Sequence, residues 1–315
     1  MIVTEDLSKD FDDFIAVDGV TLNVGTGEVL ALLGPNGSGK TTTVRMLTSV
    51  LHPSRGWARV AGYDVVQQSE HVRASVGVLT EHHGLYTRMP AGEYLDFFGQ
   101  LYGIDLPTRR KRADRMLEDF GLAQFKKRRV GKFSRGMQQK LALARTLLHD
   151  PQVLLLDEPT SAMDPESARL VRDAIEALRS SDRAIILCTH NLAEAEKLAD
   201  KIAIIRYGRI IAQGTPDSLK QRLLGPAEYE ARFGFPQRNE NIKLPNGLKI
   251  SASGEDWLRY CPTNPEHENS LVLQSLLDQG MLVVSLEKVP RSLEQIYLQV
   301  MNGPESVEFE VPYVG

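Results

Sequence analysis

The stretch EVLALLGPNGSGKTTTVRML, Glu28 to Leu47, decides the architecture. An apolar run of strand character, Glu28–Leu33, passes into the glycine-rich GPNGSGKT of Gly34–Thr41, and a helical pattern follows. Strand, then G-x-x-x-x-G-K-[ST], then helix is the context in which such a loop wraps phosphate. Glycine lets the backbone curl so that its N–H groups converge, and the helix N-terminus adds a partial positive charge. The candidate cradle runs from Gly34 through Pro35, Asn36, Gly37, Ser38 and Gly39 to Lys40, Thr41 and Thr42. Lys40 is placed to reach the β- and γ-phosphates and Thr41 to offer its hydroxyl to Mg²⁺.

Working outward, VLLLDEP at Val153–Pro159 supplies the other half of such a site. A buried strand ends on Asp157, a carboxylate suited to Mg²⁺. Glu158 follows, in position to orient or deprotonate the attacking water. The two motifs together imply hydrolysis of a nucleoside triphosphate.

Other short apolar runs, AIILC and KIAII, read as strands buried on both faces, as in a parallel sheet. Helical patterns at Thr41–Leu51 and Glu166–Arg179 alternate with them, which argues for an α/β fold. Residues 93–149 differ: three helical patterns succeed one another with no convincing strand, as expected of a helical subdomain inserted between sheet strands. From about residue 223 the chain is rich in turn residues. Strand-like GLKISAS, WLRYCP and MLVVSLEKV then alternate with helical NSLVLQSLLDQG and SLEQIYLQVM, the last capped by Ser292. The expected organisation is an ATPase domain over residues 1–222 and a small α+β domain over 223–315. The tail SVEFEVPYV alternates, as an edge strand or an arm would.

Composition narrows the classes. The 315 residues carry 42% apolar and 25% charged side chains and a formal charge of −4, which does not suggest a general polyanion-binding surface. Two cysteines, Cys188 and Cys261, cannot form a disulfide framework, and a reducing compartment is expected. The start, MIVTEDLSKDF, lacks the pattern of a signal peptide, and no apolar run approaches the ~18 residues of a membrane span. The basic runs TRRKRADR and FKKRRVGK read mainly as solvated faces, with lipid or partner contact as the alternative and nucleic acid not expected.

The order GPNGSGKT, FSRGMQQ, LLLDEPTSAMD, CTH resembles the nucleotide-binding subunits of ATP-binding-cassette (ABC) transporters over roughly Ile2–Leu224. The resemblance implies a P-loop core, an antiparallel N-terminal β element, and ATP with Mg²⁺. That family's signature usually reads L-S-G-G-Q. Here it is Phe133-Ser134-Arg135-Gly136-Met137, a variant similar to those of drug, lipid and sodium exporters. The resemblance implies that Ser134, Arg135, Gly136 and Met137 cap the nucleotide of a second copy. A helix start with free N–H groups is indeed an anion site, and a phosphate loop wraps its triphosphate from one side only. By the same resemblance Phe11 stacks on adenine, with Phe14 the second choice. Asp164 crosses the dimer interface and also caps the following helix. His190 contacts the γ-phosphate. Where the family generally has Gln beside the metal, this chain has Glu81, flanked by His82 and His83, which read as loop residues.

The resulting expectation is an energising, exporter-type ATPase subunit, paired as a homodimer or heterodimer and held at the cytoplasmic face of the cell membrane by separate permease subunits. Those subunits are expected to dock on residues 80–94. The C-terminal domain resembles a regulatory or dimer-stabilising module. The alternative is a soluble cassette ATPase acting on ribosomes or DNA. Such relatives usually carry two cassettes or a long coiled-coil insertion, and this chain shows one cassette and no sustained heptads.

Overall fold

A computed structural model describes residues 1–80, 84–161, 163–179, 182–236 and 242–302. The chain divides between Pro216 and Asp217, and Asp217–Gln299 forms a compact unit of its own.

In the first unit, strands β1 (Ile2–Phe11), β2 (Phe14–Val24), β3 (Val29–Leu33), β4 (Arg55–Val60), β5 (Tyr63–Asp64) and β6 (Val76–Leu79) accompany helices α1 (Lys40–Leu47) and α2 (Ser69–Ser75). Helices α3 (Ala91–Leu101), α4 (Leu106–Asp119) and α5 (Arg135–Leu147) follow without an intervening strand. Then come β7 (Val153–Asp157), α6 (Pro165–Arg179), β8 (Ala184–Thr189), α7 (Leu192–Leu198), β9 (Lys201–Arg206) and β10 (Arg209–Gly214). Two sheets result. One is antiparallel, in the order β2-β1-β4-β5; the other runs β10-β9-β3-β8-β7-β6, parallel except for the β9–β10 hairpin.

Every residue of β3, β7 and β8 is buried. This explains the unbroken apolar runs: a parallel strand covered on both faces has no solvent side to mark with polar residues. The core joins residues of both sheets with α1, including Leu30, Leu32, Val44, Leu47, Val153, Leu155, Ile186 and Ile205. The parallel order brings the C-terminal ends of β3, β7 and β8 side by side, where ligands bind in open α/β sheets.

The helices α3, α4 and α5 pack on one another. Tyr102 at the end of α3 lies flat on His149 just past α5, with ring centroids 3.8 Å apart. His149 Nε2 bonds the Val76 carbonyl at 3.2 Å, tying this helical group to β6.

The second unit begins within the first turn of α8 (Pro216–Leu224) and contains β11 (Tyr229–Phe233), β12 (Ile250–Ser253), β13 (Trp257–Tyr260), α9 (Pro265–Asp278) and β14 (Val283–Lys288), with most of α10 (Leu293–Asn302). Its antiparallel sheet is ordered β12-β13-β11-β14. Strand β11 falls in a stretch that reads from sequence as turn-rich, and it is a central strand. Glycines and prolines on both sides, Gly225-Pro226 and Gly234 to Pro236, mask a short alternation in which Ala231 and Phe233 are buried. Ser292 accepts from the Gln295 N–H at 3.3 Å, the expected cap of α10. The tail beyond residue 302 lies outside the described residues.

Candidate nucleotide site

The loop after β3 is shaped by its glycines. Gly39 has φ +110°, and a Cβ there would lie 2.7 Å from the Ala16 carbonyl. At Gly34 a Cβ would lie 2.3 Å from the Ile205 carbonyl, so no larger residue fits. The turn leads into α1 at Lys40. Ser38 is buried, and its Oγ has no hydrogen-bond partner among the described residues. Lys40 is also buried, its ammonium donating to the Gly34 and Pro35 carbonyls at 2.6 and 3.0 Å. An ammonium that among the described residues is held by carbonyl oxygens, beside an orphaned hydroxyl, suits a polyanion.

A cleft of about 600 Å³ opens here, lined by Phe14, Ala16, Asn36, Gly37, Gly39, Lys40, Thr41, Thr42, Asp157, Glu158, Ser161 and His190. The expected phosphate, acidic and switch residues therefore meet in one place. Thr41 Oγ1 donates to Asp157 Oδ2 at 3.1 Å, and Asp157 is buried. This hydroxyl–carboxylate pair is an all-oxygen donor set suited to Mg²⁺. Glu158 sits at φ +51°, a left-handed conformation that costs a non-glycine residue about 1–2 kcal/mol and concentrates at active sites. Its Oε1 accepts from the His190 N–H at 3.1 Å and lies 2.7 Å from His190 Nδ1.

The turn after Glu158 is tethered on both sides. Gln139 of α5, also buried, donates to the Glu158 and Pro159 carbonyls at 3.3 and 2.9 Å. Glu194 Oε2 of α7 accepts from the Thr160 and Thr189 hydroxyls at 3.1 and 3.3 Å. Burial raises the Glu194 carboxyl above its ordinary range against the pull of those two hydroxyls. Burial likewise pushes the Cys188 thiol well up, with the Asp157 charge adding to it, so this cysteine is an inert core residue.

Phe14, not Phe11, is on the cleft wall; Phe11 stacks on Phe14 with centroids 5.4 Å apart. The expected first and second choices thus stand as a stacked pair at the cleft, with Phe14 on its wall. Phe11 and Phe14 are cross-strand partners around the Asp12-Asp13 turn and so share a face of the hairpin, which accounts for their stacking. Glu81, His82 and His83 lie outside the described residues.

Ser134 caps α5, its Oγ accepting from the Met137 N–H at 3.3 Å, and Ser134 and Arg135 are exposed. None of Ser134, Arg135, Gly136 and Met137 lines the cleft. Asp164 caps α6 through the Ser167 N–H at 2.9 Å, and that bond, with one from the Ser167 hydroxyl, holds its carboxyl below the ordinary range. A Cβ on Gly136 would lie 3.8 Å from Asp164 Oδ2, so the signature and the loop bearing Asp164 are neighbours.

Sequence reasoning missed Gln139, Ser161 and the Thr160–Glu194–Thr189 group. A signal for Gln139 existed: with Ala142, Leu143 and Thr146 it shares the buried face of α5, where a glutamine needs a partner. A larger groove between α4 and α6, about 1060 Å³, holds none of the motif residues.

Residues 17–161 match the family model described as ABC transporter. The chain is 40% identical over 308 residues to the daunorubicin resistance ATP-binding protein DrrA3 of Streptomyces coeruleorubidus, covering 98% of each chain. It is 33% identical to the Nod factor export ATP-binding protein I of Rhizobium sp. (strain N33), covering 93% of this chain and 94% of that one. A solved structure of an ATP-binding subunit of an ABC transporter superposes with TM-score 0.67 at 28% identity, over 71% of this chain and 94% of that one. No helix among the described residues is long and apolar enough to cross a membrane. The chain belongs to the ABC transporter ATP-binding proteins.

Proposed function

We propose that two cassettes pair head to tail around two ATP molecules and that pairing and hydrolysis move separate permease subunits, in the direction of export, from the cytoplasmic face of the membrane. The observation that carries this reading is the placement of Ser134–Met137. They crown a helix N-terminus with N–H groups and the Arg135 cation, yet stand outside their own cleft. An anion site without a ligand in its own chain fits a triphosphate held by a second copy. Residues 1–222 would form the motor and 223–315 a regulatory or dimer-stabilising module.

The chemistry follows from the cleft. Lys40 exchanges its carbonyl partners for β- and γ-phosphate oxygens. Thr41 and Asp157 would hold Mg²⁺, which neutralises phosphate charge; Glu81 is the third ligand this reading assigns. Glu158 takes the proton of the attacking water, while His190, bonded to that carboxylate, reaches the γ-phosphate. Phe14, backed by Phe11, offers the base a stacking surface. Asp164 faces the interface beside Gly136 of its own chain.

Docking of the permease on residues 80–94 is favoured by an adjoining groove of about 890 Å³ with Val50, Thr80, Phe98, Leu101 and Tyr102 on its walls. The direction of export is favoured by the name of the Nod factor relative and by the variant signature. Ser134→Glu tests the pairing: a carboxylate at that helix start repels the partner's triphosphate. Turnover is expected to vanish while ATP binding to the single chain persists. Unchanged turnover with permease present contradicts the reading.

A further inference from the structure

The helix that presents the signature also grips the catalytic glutamate of its own chain. Gln139 lies five positions after Ser134, about 7 Å along the α5 axis. Its amide nitrogen meets two carbonyl oxygens, those of Glu158 and Pro159, at 3.3 and 2.9 Å. Because both partners are acceptors, the amide orientation is unambiguous. Strand β7 ends at Asp157, so the Glu158 and Pro159 carbonyls have left the sheet ladder; Gln139 donates to both, adding to the Ser161 N–H that the Glu158 carbonyl accepts at 3.2 Å. The residue so held is the one at φ +51°, a conformation that persists only where surroundings enforce it.

The remaining contacts make the grip directional. Thr160, two residues past Glu158, is tied through Glu194 to Thr189, the neighbour of His190. The far end of α5 is fixed to β6, with the Thr146 hydroxyl donating to the Val78 carbonyl at 3.1 Å. The turn carrying Glu158 is thus suspended between α5 and α7. A shift of α5 would pull directly on the Glu158 and Pro159 carbonyls that Gln139 holds.

We propose that Gln139 is a positioning residue that couples the two ATP sites of a pair: capture of the partner's triphosphate at Ser134 moves α5, and Gln139 then turns the Glu158 peptide so that the carboxylate faces its own attacking water. This rests on the head-to-tail pairing proposed above. A purely structural role, satisfying the two carbonyls, predicts lower thermal stability and faster local exchange with kcat unchanged.

Three measurements separate these cases. In the single chain, Gln139→Leu is expected to accelerate amide hydrogen exchange across residues 158–161 with ATP affinity unchanged. In the assembled transporter its kcat should fall about 10²-fold, the scale of a 1 Å misplacement of a catalytic group. Gln139→Glu is isosteric but donates only when protonated, so its kcat relative to wild type should recover as pH falls from about 8 to about 6. Normal exchange at residues 158–161, or full kcat with only a lowered Tm and faster exchange, overturns the proposal. Failure of the wild type to pair on ATP removes the pairing reading instead. The exchange arm still decides whether Gln139 holds the turn.

Discussion

The chain builds two sheets of contrasting kind, and only one of them makes a site. In the parallel sheet, β3, β7 and β8 are buried throughout and end together. Past those ends the groups are poorly satisfied internally: Ser38 Oγ lacks a partner among the described residues, Lys40 leans on carbonyls, and Glu158 is left-handed. In the antiparallel sheet of the second unit, burial alternates along β11 and β13, and the polar groups satisfy one another. Glu230 binds both Arg232 and Arg259 across the open face, Tyr260 donates to Asn269, and Glu268 accepts from the Thr263 and Asn264 N–H groups. Unsatisfied groups at converging strand ends make chemistry. Closed pairings on a flat sheet make a scaffold.

If the contrast is right, substitutions in the two regions should divide cleanly between turnover and stability. The largest effect is expected at Glu158→Gln: a loss of about 10²–10⁴ in kcat with ATP binding retained, measured by phosphate release and nucleotide titration. Leu258→Ala empties a fully buried position in the second core. It should destabilise that unit by about 2–5 kcal/mol in denaturant titration while leaving ATP affinity of the first unit intact. A matching loss of ATP binding would erase the distinction between the regions.

A smaller effect lies in the helical group. Burial holds the His149 imidazole down to about 4, against the pull of its bond to the Val76 carbonyl, and its Nδ1 has no partner among the described residues. The neutral Nε2–H form is therefore the folded one. The folded pKa lies below the unfolded value of about 6.5, so the unfolded chain binds the extra proton. The stability this contributes, at most about 3 kcal/mol, is present above pH ~6.5 and lost as pH falls toward 4. His149→Phe keeps the stack on Tyr102 and should flatten that part of the pH–stability curve. The smallest effect is expected at Glu230→Gln. Burial works against the Glu230 charge, but Arg259 and Arg232 prevail and keep its carboxyl below the ordinary range. The native pair should therefore contribute no more than about 1 kcal/mol, present above pH ~4.3 and lost as pH falls through the lowered folded value.

The same contrast governs what the sequence disclosed. Residues that must be a given type for chemistry, such as Gly34, Gly39, Lys40, Asp157 and His190, stand in fixed order around apolar runs, and they were legible. The parallel strands were legible too, because two-sided burial leaves continuous apolar stretches. Relations that depend on register or on a distant helix were not. Phe11 and Phe14 are equivalent in composition, and only their tertiary placement shows Phe14 on the wall with Phe11 stacked on it. Strand β11 was hidden by the Gly and Pro residues at both its ends, since its alternation spans only Tyr229–Phe233. Gln139 serves a turn 19 residues further along the chain, a partnership no local pattern encodes.

Oligomeric state offers the most direct test. Glu158→Gln protein, loaded with ATP and Mg²⁺ in the presence of its membrane component, should run as a pair of cassettes by size-exclusion chromatography with light scattering. Adding Ser134→Glu should return it to single chains with ATP still bound. An ATP-loaded Glu158→Gln protein that stays single under those conditions contradicts the account.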